Sequence, residues 1–308
     1  MKPPNSPILI GTRGSALALA QSGMVRDALA ARWPEREFRL EVLKTEGDAW
    51  AAQPENEKTP PPGKGIFTRA FEEALRAGTI HLAIHSLKDL PVDDAAGVAV
   101  AAIPLRADPR DVLVTRGPQQ IVDLPPHARI GTGSLRRAAQ LRAVRPDLLI
   151  TPLRGNIDTR LRRLREGAHW DGIVLAAAGL LRLGPSLADV VVTPLAIDLM
   201  LPAPGQGALA LQIRRGDEAT AELVAPLHDA ATAAAVRAER AFLAGLGGGC
   251  LAPIGAHARM AEGQLHLQGI AWIGDAAAPR SGSISGAPDR PEELGQQLAV
   301  QLMGHPVS

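Results

Sequence analysis

The sequence predicts a mixed α/β chain: two similar doubly wound lobes followed by a small α+β domain. At 308 residues it exceeds the length at which one hydrophobic core usually stops growing, so two or three domains are expected. A strand-turn-helix phrase occurs twice, as IGTRGSALALAQ at residues 10–21 and IGTGSLRRAAQL at 130–141. Each copy reads as strand, Gly-Thr, Gly-Ser, helix, and the pair suggests two related halves. The C-terminal part departs from that rhythm, with alternating segments AHARM and QLHLQGIAWI before a helical PEELGQQLAVQLM. The expected division is 1–105 with a return segment at 204–226, then 106–203, then 227–308.

The first element is the strand PILIG, followed by a helix capped by Ser15, in which Leu17, Ala20, Met24 and Ala28 recur at helical spacing. Such a βα turn aims backbone N–H groups and a helix N-terminus at one spot, which suits an anion. The stretch DAWAAQPENEKTPPPGKGIF is polar and Pro-rich and reads as a long loop able to cover a cleft. Its Gly-Lys-Gly is not a phosphate-binding Walker loop, because the earlier glycine and the following Ser or Thr are absent. In TIHLAIHSLKDLP, Ile80, Leu82 and Ile84 alternate as a strand and Pro91 closes the segment. His85, Ser86, Lys88 and Asp89 therefore fall at a strand's C-terminal end, where open α/β sheets place ligands.

In LRGNIDTRLRRLREG, Asn156 caps a helix whose buried stripe is Ile157, Leu161 and Leu164. Arg154 precedes that helix and Arg160 borders the stripe, whereas Arg162 and Arg163 point away. DGIVLAAAGLLRLG reads as a buried parallel strand running into a short helix. LPAPGQGALALQI, with Gln206 between glycines, reads as a crossover and a strand. TAAAVRAERAFLAGL is a helix ending at Gly245, which leaves Cys250 on a loop of the last domain.

Charge narrows the partners. The net charge of +1 and the eight aromatic residues, none of them Tyr, disfavour a nucleic-acid binder. Of 33 basic residues 28 are Arg, and ten of these lie between Arg129 and Arg165 against two acids, Asp147 and Asp158. Forked guanidinium donors at that density suit a carboxylate or phosphate ligand. Each one could equally be part of a solvated helix face. The longest apolar run, GIVLAAAGLL, is well short of the ~20 residues a bilayer span needs, and the start MKPPNSPILIGTRGS lacks a signal-peptide core. No membrane partner is expected.

Cys250 is the single cysteine, which excludes a disulfide framework and a cysteine-rich zinc site, so no metal is expected. Alone, such a thiol is commonly a small buried hydrophobe. Three preceding glycines in GLGGGCLAPIG offer a second reading, in which bare backbone lets something reach the sulfur.

The successive motifs TRGSALALAQ, KGIFTRAFEEAL, LAIHSLKDLP, DPRD, GTGSLRR, LRGNIDTRL, PAPGQGAL and ERAFLAGLGGGCLAPIGAHA resemble those of the porphobilinogen deaminase (hydroxymethylbilane synthase) family. The resemblance runs in order from about residue 8 into the last domain, and it implies lobes of the periplasmic-binding-protein type. It further implies a dipyrromethane cofactor held by a thioether on Cys250. Four porphobilinogen molecules would condense on that primer with loss of ammonia, and water would then release the linear tetrapyrrole. The family match assigns Asp89 as the catalytic carboxylate, stabilising positive charge beside pyrrole N–H groups and moving protons. Ser86, Lys88, Asp89, Thr132, Ser134, Arg136 and Arg137 would hold the cofactor. Arg13, Ser15, Lys64, Arg154, Arg160 and Gln206 would hold the acetates and propionates of the substrate, and Lys58 is left out. Gly14 and Gly133 depart from the family pattern, which often carries Gln and Ser there. A cytoplasmic monomer is implied. The rival reading is a two-lobed solute-binding protein that closes on an anion and does no chemistry.

Overall fold

The computed structural model describes residues 6–52, 65–93, 95–117, 120–167, 169–248, 253–274 and 278–304. The chain divides into two compact units, Met1–Leu105 with Ala208–Ala230, and Arg106–Gly207 with Ala231–Ser308.

The first unit contains β1 (Ile8–Thr12), α1 (Ala16–Arg32), β2 (Phe38–Val42), α2 (Glu46–Ala52), α3 (Arg69–Ala77), β3 (Leu82–Ser86) and β4 (Val98–Ala102). The return segment adds β10 (Leu209–Arg214) and α7 (Glu218–Val224). Its sheet runs β2-β1-β3-β10-β4, with β1 parallel to both neighbours and β10 antiparallel to β3 and β4. Both faces are apolar: Ile10, Leu29, Leu82 and Leu211 pack on one side, Phe71, Leu75 and Ala83 on the other. Such two-sided burial is what a sheet flanked by helices requires.

The buried stripe of α1 differs from the expected one. Met24 is 53% exposed and Ala28 faces outward, whereas Gln21, Ser22, Val25 and Leu29 are buried. Two polar side chains go inside because each finds a partner. The Ser22 hydroxyl donates to Thr12 Oγ1 at 2.8 Å, and the Gln21 amide donates to Ser86 Oγ at 3.1 Å. Satisfied polar groups are tolerated in a core, so helical spacing of apolar residues alone mislocates this face. The start of the expected long loop is likewise ordered as α2. Residues 53–64, with Lys58 and Lys64, lie outside the described residues.

The second unit carries β5 (Asp111–Thr115), β6 (Arg129–Gly131), α4 (Leu135–Val144), β7 (Leu149–Thr151), α5 (Ile157–Glu166), β8 (Gly172–Ala176), α6 (Ala177–Leu183) and β9 (Val191–Pro194). The sheet order is β7-β6-β8-β5-β9. β6 is parallel to β7 and β8, whereas β5 is antiparallel to β8 and β9. The strand β8, expected as parallel, is therefore parallel on one side only. Leu113, Ile130, Leu141 and Val174 fill one face, and Leu153, Leu161, Leu164 and Ile173 the other.

The same unit ends in α8 (Ala230–Gly245), an antiparallel meander of β11 (Ile254–Ala261), β12 (Gln264–Ala271) and β13 (Arg280–Gly286), and α9 (Pro291–Met303). Phe242, Leu265, Leu267 and Leu298 form a separate core there. Among the described residues no helix is long and apolar enough to cross a membrane.

Candidate functional site

In the first unit, β1 ends in the turn that carries Arg13 and Ser15. Ser15 caps α1, its hydroxyl accepting from Ala18 N at 3.3 Å. Below it, Thr12 is fully buried and donates to the Ala18 carbonyl at 3.2 Å. The turn is thus tied to the first helical turn from two sides. Arg13 donates through Nε to Asp48 Oδ1 at 3.0 Å and its guanidinium lies 4.2 Å from the centre of the Phe67 ring. Burial pushes the Asp48 carboxyl up, but hydrogen bonds from Arg13 and Thr45 outweigh it and hold that carboxyl below its ordinary range. Asp48 and Phe67 were not foreseen from sequence. Asp48 fell within the stretch read as loop.

Ser86, Lys88 and Asp89 follow directly at the end of β3. Ser86 meets Gln21 as described above. Leu87, Lys88 and Asp89 form a single 3-10 turn, anchored by buried Leu87, whose N–H donates to the Ala208 carbonyl at 3.0 Å. This anchor leaves Lys88 half-buried and Asp89 exposed. Among the described residues the Asp89 carboxylate has no hydrogen bond or ion pair, so it is free to serve a ligand. His85, one residue earlier on the opposite face of the strand, packs edge-on against Phe71 with ring centroids 5.2 Å apart. Its Nε2 is buried without a hydrogen-bond partner among the described residues, and burial pushes its pKa down to about 4. The structure therefore separates His85, a core imidazole, from its three neighbours.

In the second unit the equivalent turn follows β6. Thr132 is buried and accepts from Ser134 N at 3.2 Å, while Ser134 caps α4 by accepting from Arg137 N at 3.4 Å. Arg136 and Arg137 lie in the first turn of α4, both buried beside Asp111. Arg136 Nη1 donates to Asp111 Oδ2 and to the Leu201 carbonyl, each at 2.7 Å. Arg137 spends Nε and Nη2 on Asp111 Oδ1, at 3.1 and 2.7 Å, and Nη1 on the Val174 carbonyl at 2.9 Å. Burial would raise the Asp111 carboxyl, but the charges of Arg136 and Arg137 win and hold it well below its ordinary range.

Two cations share one anion here, so the cluster keeps a net positive charge. Nε and Nη2 of Arg136 have no partner among the described residues. Gln206 is 1% exposed and donates to Asp111 Oδ1 at 2.9 Å and to the Pro109 carbonyl at 2.7 Å. The structure places Gln206 as a buried brace of Asp111.

Arg154 is exposed, beside Gly155, whose φ of +108° favours glycine. Arg160 donates to the Gly155 carbonyl at 2.8 Å. Burial, then the charge of Arg137, pushes its pKa down to about 10. Arg182 on α6 was not foreseen as a candidate. Its Nη2 donates to the Gly207 carbonyl at 2.6 Å, its Nε is buried without a partner among the described residues, and burial lowers its pKa. A half-buried cation with one buried, unpartnered donor makes Arg182 a further anion-binding candidate in this unit. Its sequence signal is one Arg in an otherwise apolar helix. Cys250 lies outside the described residues.

Comparison with known proteins bears on both halves. Residues 8–222 match the family described as "Porphobilinogen deaminase, dipyromethane cofactor binding domain", and residues 233–304 match "Porphobilinogen deaminase, C-terminal domain". The protein named porphobilinogen deaminase from Thermus thermophilus is 47% identical over 297 residues, covering 96% of this chain and 95% of that protein. Those from Roseiflexus castenholzii and Deinococcus radiodurans are 48% and 45% identical, each over 96% of this chain and 95% of theirs. Among solved structures, the substrate binding protein of an amino acid ABC transporter is similar over 72% of this chain and 91% of that one, at 14% identity and a TM-score of 0.39.

Proposed function

The chain belongs to the porphobilinogen deaminase family, and from that premise we propose how its residues carry out the family's reaction. The enzyme is a transferase, a hydroxymethylbilane synthase of tetrapyrrole biosynthesis. It joins four porphobilinogen molecules head to tail with release of ammonia, then frees the linear product with water. When bound, the dipyrromethane supplies the reactive pyrrole carbon on which the chain is extended.

The donor set fits that group. Each pyrrole ring brings an acetate and a propionate, and these need forked cations, a requirement met by uncommitted nitrogens on Arg136 and the orphaned Nε of Arg182. We assign cofactor carboxylates to Arg136, Arg137, Thr132, Ser134, Ser86 and Lys88, with Asp111 fixing the two arginines in place. Incoming substrate carboxylates fall to Arg13, Ser15, Lys64, Arg154 and Arg160. Gln206 then acts through Asp111. Asp89, exposed and unpartnered, holds or moves a proton at the pyrrole nitrogens and balances positive charge as ammonia leaves. Cys250, the one cysteine, is the attachment point. Three domains, at 1–105 with 204–226, at 106–203 and at 227–308, are proposed on the strength of separate cores. A cytoplasmic monomer is proposed with them, without nucleic-acid partners, in keeping with the near-neutral charge.

The observation that carries this reading is the match of residues 8–222 to the cofactor-binding family. Intact-protein mass spectrometry tests it. The purified chain is expected to be heavier than its sequence by one dipyrromethane, and Cys250→Ser to lose that mass. An unmodified chain that binds anions and forms no tetrapyrrole would instead support the solute-binding reading.

A further inference from the structure

A cavity of about 560 Å³ lies along β7, the edge strand of the second unit's five-stranded sheet. It shares no residue with the site described above. Its volume is within the range of small-molecule pockets. Leu149 and Ile150 supply an apolar side, and Leu149 is 45% exposed.

Trp170 forms a wall whose position is fixed. Its Nε1 donates to Thr151 Oγ1 at 2.6 Å, and its Cδ1 comes within 3.0 Å of where a Cβ on Gly131 would sit. With its polar atom satisfied inside the protein, the indole offers the cavity ring carbon. His169 stands edge-on to it, with centroids 6.0 Å apart at 70°.

Arg129 and Arg142 border the same cavity. Among the described residues neither guanidinium makes a hydrogen bond or an ion pair. Two acids of the same unit, Asp147 and Asp171, are already engaged. Asp147 accepts from Arg145 at 2.7 Å and from His127 N at 3.1 Å, and Asp171 accepts from Arg129 N at 2.7 Å. Among the described residues no acidic side chain lines the cavity.

An aromatic wall, an apolar side and two uncommitted forked cations define a complementary ligand. We propose that this cavity binds a planar aromatic carboxylate of one or two fused rings, the ring against Trp170 and the carboxylates on Arg129 and Arg142. Thr151, which holds Trp170, also accepts through its carbonyl from Thr132 N at 3.0 Å. The ligand would therefore rest one strand away from the turn that carries Thr132.

The test is titration of the holoenzyme with a naphthalene dicarboxylate, followed by tryptophan fluorescence and calorimetry. Saturable one-to-one binding is expected. Arg129→Ala and Arg142→Ala should each weaken it by about tenfold and leave tetrapyrrole formation unchanged. The saturated decalin dicarboxylate should bind at least about tenfold more weakly. Absence of saturable binding, or binding indifferent to both arginine substitutions, overturns the proposal. Equal affinity for the decalin compound removes the aromatic class. Loss of binding in Arg154→Ala with retention in Arg142→Ala would move the probe into the deaminase site and also overturn it.

Discussion

The side-chain amide of Gln206 donates to Asp111 at 2.9 Å from 95 positions away, on the same oxygen that receives Arg137. One carboxylate thus collects two guanidiniums and an amide in a fully buried setting. Replacing it with a neutral group would strand two buried cations. Asp111→Asn is expected to cost about 3–5 kcal/mol, read from the urea midpoint, and to lower cofactor loading. Because its folded pKa lies below the ordinary value, this stability is present above that value and lost as pH falls through the lowered one. An unchanged midpoint would refute the role.

Gln206→Ala removes a brace and leaves the charges in place. A smaller loss, about 1–3 kcal/mol, is expected. If Gln206 acts through Asp111, the double variant should cost measurably less than the sum of the two single ones.

Asp89→Ala should leave stability within about 0.5 kcal/mol of the parent, because the carboxylate is exposed and has no partner among the described residues. Turnover should fall by a factor of about 10² or more. Single-turnover ammonia release, measured in rapid quench, isolates the chemical step. A normal rate there would remove Asp89 from the chemistry.

His85 gives a pH signature distinct from the carboxylates. Its folded pKa of about 4 lies below the ordinary 6.5, so the unfolded chain takes up a proton first on acidification. Stability is expected to be intact above 6.5 and to decline towards 4, by about 3 kcal/mol in all. His85→Leu should flatten that slope. An identical pH dependence in the variant would mean that other groups produce it.

Glu239 is buried in α8 and accepts four hydrogen bonds. Arg106 reaches it at 2.6 and 3.0 Å, Gly205 N at 2.7 Å and Ala258 N at 2.8 Å. Glu239→Gln turns one acceptor into a donor facing donors, and a loss of about 3 kcal/mol or more is expected in thermal unfolding.

Motif chemistry was more legible in the sequence than motif surroundings. The two βα turns, the cap residue Ser15 and the buried Leu161 and Leu164 follow from local rules, whereas Asn156 sits at the N-cap of α5 without a side-chain capping bond. What pairs with the arginines does not. Asp111 and Asp48 are distant in sequence from the cations they hold, so an Arg-rich stretch reads as wholly available for ligands when part of it is already neutralised. Strand β13, RSGSISG, has little sequence signal because its Ser and Gly residues carry little alternating hydropathy. Pairing with β12 makes it a strand.

The position of β10 between β3 and β4 has a consequence for biogenesis. On the ribosome, residues 82–102 emerge more than a hundred positions ahead of the strand that must separate them. Until then both flanking edges lack their permanent neighbour and are open to wrong pairing. A nascent fragment ending near residue 105 should therefore aggregate or recruit chaperones, and translation through residue 214 should relieve it. The N-terminal half of this enzyme begins first and finishes late.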